Sequence, residues 1–204
     1  MTLERKIAKN LLEIEAVALR PNDYFTWTSG IKSPIYCDNR ITMSYPKIRR
    51  EIAAGLSEVI KKNFPEVEVV AGTATAGIPH AAWVSEALDL PMIYVRDSAK
   101  KHGKTNQIEG RLLEGQKVVI IEDLISTGLS SLKVAKALEE AGAVVLGVVA
   151  IFSYELKKAQ DAFAADKVEY YTLTNYNFLI EEAVASNYIK QEDVEKLLEW
   201  RNNL

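Results

Sequence analysis

The sequence predicts an α/β fold, a doubly wound and mainly parallel sheet with helices on both faces. Segments rich in Val and Ile alternate along the chain with segments whose apolar residues recur at helical spacing. The Val and Ile runs lack polar alternation, which is typical of strands covered on both faces. Ligands in such folds bind at the carboxyl ends of the strands. A site is therefore expected in the loops that follow four strands, after Ala71, Val95, Ile121 and Phe152.

The first 45 residues predict a helix followed by loops. Residues 20–45 contain Pro, Gly and Asn at short intervals, together with many aromatic residues, and predict loops with one short strand. We therefore divide the chain into an N-terminal helix and hood segment, residues 1–45, and an α/β core, residues 46–204. The helix is predicted over residues 3–17, because apolar residues have helical spacing at Leu3, Ile7, Leu11 and Ile14.

The core alternates between predicted helices and strands. Ser44 is the predicted N-cap of its first helix, which has Pro46 in the first turn. The apolar face of that helix consists of Ile48, Ile52, Leu56 and Val59. The predicted elements that follow are strand 66–72, helix 78–88, strand 91–95, a polar loop, strand 117–123, a helix from 130 that stops at Gly142, strand 143–152, a short helix, strand 168–174 and a C-terminal helix at 191–203.

Length and composition are those of a folded protein with a sizeable core. The chain has 204 residues, of which 48% are hydrophobic and 26% charged. Cys37 is the only cysteine, so an internal disulfide is excluded and a reducing compartment is favoured. The N-terminus lacks an apolar signal core, and the longest apolar stretch, residues 143–152, is far shorter than the ~20 residues of a membrane-spanning helix. We therefore expect a cytoplasmic protein with no membrane partner.

Positive charge is concentrated in one segment. The net charge is −3, yet residues 96–111 contain five bases and two acids. This segment therefore carries about +3 and the rest of the chain about −6. A confined basic segment on an acidic body favours a small anionic ligand, whereas a long nucleic acid requires a broad basic face. We therefore expect no nucleic-acid partner.

The strongest local pattern is Val-Val-Ile-Ile-Glu-Asp-Leu-Ile-Ser-Thr-Gly-Leu-Ser-Ser, at residues 118–131. A predicted buried strand delivers two adjacent carboxylates, Glu122 and Asp123, to its carboxyl end, and a loop rich in hydroxyls and glycine then opens a helix. Backbone amides, hydroxyls and the positive end of a helix dipole suit a phosphate, and carboxylates accept hydrogen bonds from vicinal hydroxyls. The pattern therefore predicts a ribose 5-phosphate site. The alternative is a strand-to-helix turn with acids that merely cap it.

Residues 122–131 resemble the signature by which type I phosphoribosyltransferases bind PRPP (5-phosphoribosyl 1-diphosphate). The segment is neither a Walker loop nor a Gly-x-Gly-x-x-Gly motif, which disfavours an ATPase or a dinucleotide enzyme. The resemblance implies that the two acids hold the ribose hydroxyls and that residues 126–130 hold the 5-phosphate. The PRPP-binding residues implied here are Glu122, Asp123, Leu124, Ile125, Ser126, Thr127, Gly128, Leu129 and Ser130.

The basic segment contains the pattern Arg-x-x-x-Lys-x-His-Gly, which resembles the catalytic loop of orotate phosphoribosyltransferases. A polar loop of this length is uncommon within a domain unless it serves a site or is disordered, and a solvated charged loop is the alternative. The resemblance implies that the loop reaches the active site of the neighbouring subunit in a homodimer. It implies Arg96, Lys100 and His102 as catalytic residues, and the PRPP-binding residues Arg96, Lys100, Lys101 and His102.

Two further segments resemble the same family. Residues 25–40 contain Ser-Gly-x-Lys-Ser-Pro-x-Tyr, similar to the segment that covers the orotate position, and residues 71–80 are similar to the loop that binds pyrophosphate through backbone amides. Tyr36 offers a flat face for a pyrimidine and Lys32 a cation for a carboxylate or pyrophosphate, although a tyrosine taken alone is more often packed than stacked. The implied orotate-binding residues are Ser126, Lys32 and Tyr36.

The chain departs from the pattern of many members of the family at three places. Thr28 and Ala76 stand where many relatives have lysine, and no arginine is present near Tyr154, where some relatives have one that contacts the orotate carboxylate.

The resemblance implies that the chain joins the ribose 5-phosphate of PRPP to orotate, giving orotidine 5′-monophosphate and pyrophosphate in pyrimidine (UMP) biosynthesis. It implies a homodimer with shared active sites, and Mg²⁺ as cofactor, held through substrate oxygens with no dedicated protein metal site. Three alternatives stay open. They are a purine-type phosphoribosyltransferase, a non-catalytic regulator that senses PRPP or nucleotides on the same fold, and a plain nucleotide-binding domain.

Overall fold

The described N-terminal part of the chain forms an α-helix, two small antiparallel strand pairs and a 3-10 helix. The structure, a computed structural model, describes residues 1–27, 30–97 and 107–204. Strand β1 pairs with β4, and β2 with β3. The elements in chain order are α1 (Leu3–Glu13), β1 (Val17–Leu19), β2 (Phe25–Thr26), β3 (Lys32–Ser33), β4 (Ile35–Cys37) and a 3-10 helix (Asn39–Ser44).

Helices and strands then alternate to the end of the chain, as the sequence predicts. They are α2 (Pro46–Asn63), β5 (Val69–Thr73), α3 (Gly77–Leu88), β6 (Met92–Val95), β7 (Ile108–Glu109), β8 (Lys117–Ile125), α4 (Leu129–Glu140), β9 (Val144–Ser153), α5 (Lys157–Asp166), β10 (Tyr170–Asn175), α6 (Tyr176–Ala185), a 3-10 turn (Gln191–Asp193) and α7 (Val194–Asn202).

Six strands of the described chain form the central sheet, in the order β10-β9-β8-β5-β6-β7. All neighbouring pairs are parallel except β6 and β7. From β5 the chain moves outward to β6, and from β8 it moves outward in the opposite direction through β9 to β10. The direction of winding therefore changes between β5 and β8, where ligands bind in folds of this class.

The sheet is covered on both faces, which confirms the predicted fold class. Alternate residues of β8 are buried in two different apolar clusters. Val119 and Ile121 pack in the cluster that includes residues of α1, α2, α3 and α6. Val118 and Ile120 pack in the cluster that includes residues of α4 and α5. Parallel strands buried in this way are continuous in Val and Ile.

Several boundaries differ from the prediction, and three of the differences have a local structural cause. The first helix ends at Glu13 rather than residue 17, because Glu15 adopts φ 56 and the chain turns there into β1. Ser44 is the last residue of a 3-10 helix, and Tyr45 rather than Ser44 is the N-cap of α2. The strand predicted at 117–123 runs on to Ile125, because β9 continues to pair with it.

Several elements were absent from the prediction. The described part of residues 20–45 contains three short strands, β2, β3 and β4, and a 3-10 helix, rather than loops with one short strand. Helix α6 follows β10 without a loop, and the Asn175 side chain caps it by accepting a hydrogen bond from the Phe178 backbone N–H at 3.1 Å. Strand β7 is a two-residue antiparallel edge beside β6. Among the described residues, no helix combines the length and the apolar character needed to cross a membrane. The division of the chain at residue 45 stays a prediction.

Candidate active site

The turn after β5 and the acid-bearing strand β8 are held together by a close backbone contact. Gly77 opens α3, and a Cβ placed there would lie 2.4 Å from the carbonyl oxygen of Ile121. Since contacts that short do not occur, only glycine allows the start of α3 to lie against β8. The pairing of β5 with β8 ends at Ile121. On the side of β5, the next two residues of β8, both acids, thus adjoin the turn rather than a strand, while β9 continues to pair with β8 on the other side.

Glu122 and Asp123 form a buried acidic pair. Glu122 is 5% exposed, and Asp123 is partly buried. One carboxylate oxygen of Glu122 accepts a hydrogen bond from the Asp123 backbone N–H, and the other accepts one from the hydroxyl of Ser131, each at 3.1 Å. Burial, followed by the neighbouring charge of Asp123, raises the pKa of Glu122 to about 8. Burial also raises the pKa of Asp123.

These shifts describe a site that favours a ligand able to donate hydrogen bonds. An acidic pair in low dielectric resists full ionisation when nothing offsets its charge. Vicinal hydroxyls, or a cation bound with the ligand, would stabilise the ionised form. The acidic pair predicted from the sequence is therefore suited to a sugar diol.

Asn39 holds the strand that carries the acids. Its side-chain N–H donates to the backbone carbonyl of Asp123 at 2.7 Å, and the residue is buried. This bond joins the 3-10 helix of the N-terminal segment to β8. Asn39 was not identified from the sequence, because its partner lies 84 residues away along the chain.

The loop after β8 presents the open end of a helix. Gly128 has φ 77 and is the N-cap of α4, with no side-chain cap from the described residues. A Cβ at this position would lie 2.7 Å from the ring of Phe163. The first amides of α4 are therefore left for a ligand, and they adjoin the exposed residues Leu129 and Ser130. Thr127 is partly buried in the same loop, and Ile125 is buried at its start.

An aromatic cavity of about 210 Å³ lies beside the acidic pair. Trp27 and Tyr154 have ring centroids 5.5 Å apart, and the Trp27 indole donates to the Ile35 carbonyl at 3.0 Å. Burial raises the pKa of Tyr154 and of Cys37 well above their ordinary values, so both side chains stay neutral. The cavity thus suits a flat, mainly apolar ring. It is lined by Trp27, Tyr36, Cys37, Leu124, Ser126 and Tyr154.

The predicted orotate-binding residues do not all meet in this cavity. Tyr36 and Ser126 line it, whereas Lys32 lines a different cavity beside α7, together with Trp200. The Lys32 ammonium donates to the hydroxyl of Thr26 at 2.7 Å. Its contact with orotate stays a prediction.

A second cavity, of about 340 Å³, lies between the acidic pair and the turn after β5. We call it the Arg40 cavity; its described lining residues are Cys37, Asp38, Arg40, Thr75, Ala76 and Asp123. Cys37 lines both this cavity and the aromatic one. The turn was predicted from the sequence, whereas Asp38 and Arg40 were not, although both lie in the segment 25–40 that contains Tyr36.

Most of the predicted cationic residues lie outside the described part of the chain. Lys100, Lys101 and His102 fall there, and their roles stay predictions. Arg96 is described and has its guanidinium 3.5 Å from the carboxylate of Glu109. Its backbone N–H donates to the carbonyl of Gln107 at 3.0 Å, where β6 and β7 meet.

The amino-acid sequence is similar to a known domain family and to named proteins. Residues 44–187 match the model of the phosphoribosyl transferase domain. The orotate phosphoribosyltransferase of Enterococcus faecalis is 64% identical over 199 residues, covering 98% of this chain and 95% of that protein.

Solved structures have the same fold. Leishmania donovani UMP synthase superposes with a TM-score of 0.83 at 27% identity, over 98% of this chain and 42% of that one. The orotate phosphoribosyltransferase of Aeropyrum pernix gives a TM-score of 0.77 at 27% identity, over 90% of this chain and 99% of that one. The type I phosphoribosyltransferase fold implied by the sequence motifs is therefore confirmed. With its acidic pair, open helix end and aromatic cavity at one edge of the sheet, this chain belongs to the orotate phosphoribosyltransferase family.

Proposed function

We propose that this chain transfers the ribose 5-phosphate of PRPP to orotate, releasing pyrophosphate and forming orotidine 5′-monophosphate for pyrimidine biosynthesis. One observation carries the proposal most directly. The aromatic cavity, the acidic pair and the Arg40 cavity adjoin one another at the point where the sheet changes its direction of winding. The base, the sugar and the leaving group of this reaction require three such neighbouring subsites.

The sugar phosphate is held at the carboxyl end of β8. Glu122 and Asp123 accept hydrogen bonds from the ribose hydroxyls, with Ser131 fixing one oxygen of Glu122. Residues 126–130 bind the 5-phosphate through the amides and the dipole at the start of α4. Both contacts lie on one strand and the helix that follows it, so the ribose is oriented by rigid elements.

Orotate occupies the aromatic cavity, where Tyr36 and Ser126 contact it. The ring replaces water against the apolar faces of Trp27 and Tyr154. Lys32 would bind the orotate carboxylate only after leaving its present partner, Thr26.

The chemical step needs no protein nucleophile. Orotate N1, deprotonated and attacking as an anion, forms a bond to ribose C1 as the bond from C1 to pyrophosphate breaks, through a transition state with oxocarbenium character. Catalysis is then positioning and charge stabilisation. Arg96, Lys100, Lys101 and His102 neutralise the charge that develops on the pyrophosphate.

Mg²⁺ fits the donors at this site. Asp123 supplies hard carboxylate oxygens to the Arg40 cavity, whereas both oxygens of Asp38 are already paired with Arg40. The described residues form no cluster of three or more acids, His or Cys around a common point. Mg²⁺, when bound with PRPP, supplies charge neutralisation on the pyrophosphate. In our proposal few of its ligands come from the protein, and most are substrate oxygens and water.

We propose a homodimer in which each subunit completes the site of its partner through the basic segment. Mixing two inactive variants of the chain tests this arrangement. An inactive Lys100→Ala variant and an inactive Asp123→Asn variant should recover part of the activity when mixed, because mixed dimers contain one intact site. If equilibrated mixtures stay inactive while each variant remains dimeric in sedimentation, the shared site is refuted.

The overall reaction is tested by the fall in orotate absorbance on addition of PRPP and Mg²⁺. The same assay with adenine, hypoxanthine or guanine in place of orotate tests the purine alternative. Consumption of orotate alone supports the proposal, and consumption of a purine alone would overturn it. No turnover of any base, with PRPP binding retained, would favour the regulator. A cytoplasmic location is also proposed, on the single reduced cysteine, and cell fractionation tests it.

A further inference from the structure

The Arg40 cavity combines two carboxylates with one cation. Asp38 and Asp123 line it, and Arg40 is its single cationic residue within the described chain. Among their described lining residues it shares only Cys37 with the aromatic cavity, so the two cavities are neighbouring but distinct. In a displacement at ribose C1, the entering base and the leaving group lie on opposite sides of the reacting carbon. The leaving group of a sugar held at Asp123 is thus directed into the Arg40 cavity.

The guanidinium of Arg40 is held in place within its own turn. Its Nε and Nη2 atoms donate to the two carboxylate oxygens of Asp38, at 2.6 and 2.8 Å. The Arg40 backbone N–H also donates to Asp38, at 3.2 Å, so the same carboxylate caps the 3-10 helix. A guanidinium has five N–H donors, and those that do not face Asp38 have no partner among the described residues. Arg40 therefore combines a fixed position with spare donors.

Structural stabilisation is a weak explanation for this pair. The Arg40 side chain is 61% exposed, and an ion pair exposed to that extent contributes about 0–1 kcal/mol to folding. A phosphate group gains more from a guanidinium that is already oriented, because charge-assisted contacts with phosphate are bidentate and strong.

We propose that Arg40 binds the diphosphate of PRPP, with Asp38 as the residue that positions its guanidinium. The inference rests on the proposed function and adds to it a substrate contact made by the N-terminal segment. It places a permanent positive charge beside the turn at residues 74–76, in a cavity whose other charged lining residues are acids. Because Arg40 is bound within its own subunit, this contact is present before the basic segment contributes its charges.

Two substitutions that break the same ion pair separate this role from a structural one. Arg40→Gln removes the cation, and Asp38→Asn removes the opposing charge while keeping an oxygen that can accept the Arg40 backbone N–H. The readouts are the inhibition constant of inorganic diphosphate and the KM for PRPP, in saturating Mg²⁺, with the KM for orotate and the melting temperature measured in parallel. Arg5→Gln is the matched control, since Arg5 is an exposed arginine paired with one carboxylate, that of Glu181, at 2.6 Å.

The two variants are expected to change diphosphate affinity differently. Arg40→Gln should weaken diphosphate inhibition and raise the KM for PRPP about tenfold, the effect of losing one charged hydrogen bond. Its KM for orotate should stay near the wild-type value. Asp38→Asn should weaken diphosphate inhibition by less than Arg40→Gln does, because Arg40 keeps its charge and loses only part of its positioning. Arg5→Gln should behave as wild type.

Other outcomes overturn the inference without ambiguity. Equal weakening in Arg40→Gln and Asp38→Asn would show that the ion pair acts structurally, and an unchanged inhibition constant in Arg40→Gln would show that Arg40 does not contact diphosphate. Either result leaves the proposed function intact, provided that the wild-type protein consumes orotate. Failure of the wild-type protein to consume orotate would instead refute the proposed function.

Discussion

Replacing Glu122 with glutamine should stabilise the substrate-free protein at alkaline pH. Burial, followed by the charge of Asp123, raises the pKa of Glu122 from 4.5 to about 8. The unfolded chain releases this proton at lower pH than the folded chain does. Between about pH 4.5 and about pH 8 the folded state therefore binds more protons, and the free energy of unfolding falls as the pH rises. Above about pH 8, Glu122 is ionised in both states and lowers the free energy of unfolding by its full, constant amount.

The magnitude follows from the two pKa values. Each pKa unit between the folded and unfolded states corresponds to about 1.4 kcal/mol. Between pH 5.5 and pH 8.5 the ionisation of Glu122 therefore destabilises the wild-type protein by on the order of 3 kcal/mol. A chain of this length loses roughly 2–4 °C in melting temperature for each kcal/mol. Glutamine has nearly the same size and does not ionise, so the advantage of Glu122→Gln should be roughly 10 °C larger at pH 8.5 than at pH 5.5.

Thermal unfolding of the two proteins at both pH values is the assay. Glu51→Gln is the control. Burial raises the pKa of Glu51, but hydrogen bonds from Asn10 and Lys6 outweigh it and hold the pKa below 4.5. The stabilising contribution of Glu51 is therefore complete above pH 4.5 and constant across the tested range, so this variant should lose the same amount of stability at both pH values. If Glu122→Gln changes the melting temperature by the same amount at both pH values, the raised pKa of Glu122 and its assigned causes, burial and the charge of Asp123, are refuted.

Three further predictions concern catalysis and stability. Ser131→Ala should lower kcat/KM for PRPP about tenfold in steady-state assays, because Glu122 loses the hydrogen bond that the buried Ser131 hydroxyl donates. Ser131→Thr should restore most of the activity, and equal activity in the wild type and both variants would contradict this role of the hydroxyl. Gly128→Ala should cost about 3 kcal/mol in urea unfolding, through positive φ and the clash with Phe163, and a variant as stable as wild type would exclude this strain. Lys100→Ala should lower kcat by about a hundredfold or more, on the order of 3 kcal/mol of charge stabilisation, whereas wild-type turnover would refute its catalytic role.

The features that were predicted correctly are those encoded in short stretches of sequence. The uninterrupted Val and Ile runs of β5, β8 and β9 predict, from each strand alone, that the strand is buried on both faces. The acidic pair and the loop after it lie within ten residues of one another, so their proximity needs no knowledge of the fold. The position of Glu122 and Asp123 at the end of β8 was predicted for that reason, and their binding of the ribose hydroxyls stays a prediction.

The features that were missed depend on contacts between distant parts of the chain. Asn39 acquires its role only when the 3-10 helix meets β8, and Trp27 and Tyr154 meet across 127 positions in the sequence. Helix α6 escaped prediction because it starts directly after a strand, with Asn175 as both strand end and helix cap. The Ser44 cap was wrong because Ser44 was already part of another helix.

The positions of the tryptophans allow ligand binding to be followed by intrinsic fluorescence. Trp27 lines the aromatic cavity and meets Trp200 of α7 edge to face, with ring centroids 5.9 Å apart, while Trp83 packs elsewhere, beneath the guanidinium of Arg49. A ring that enters the cavity should alter the emission of two of the three tryptophans, and binding can then be titrated without a dye or a coupled assay.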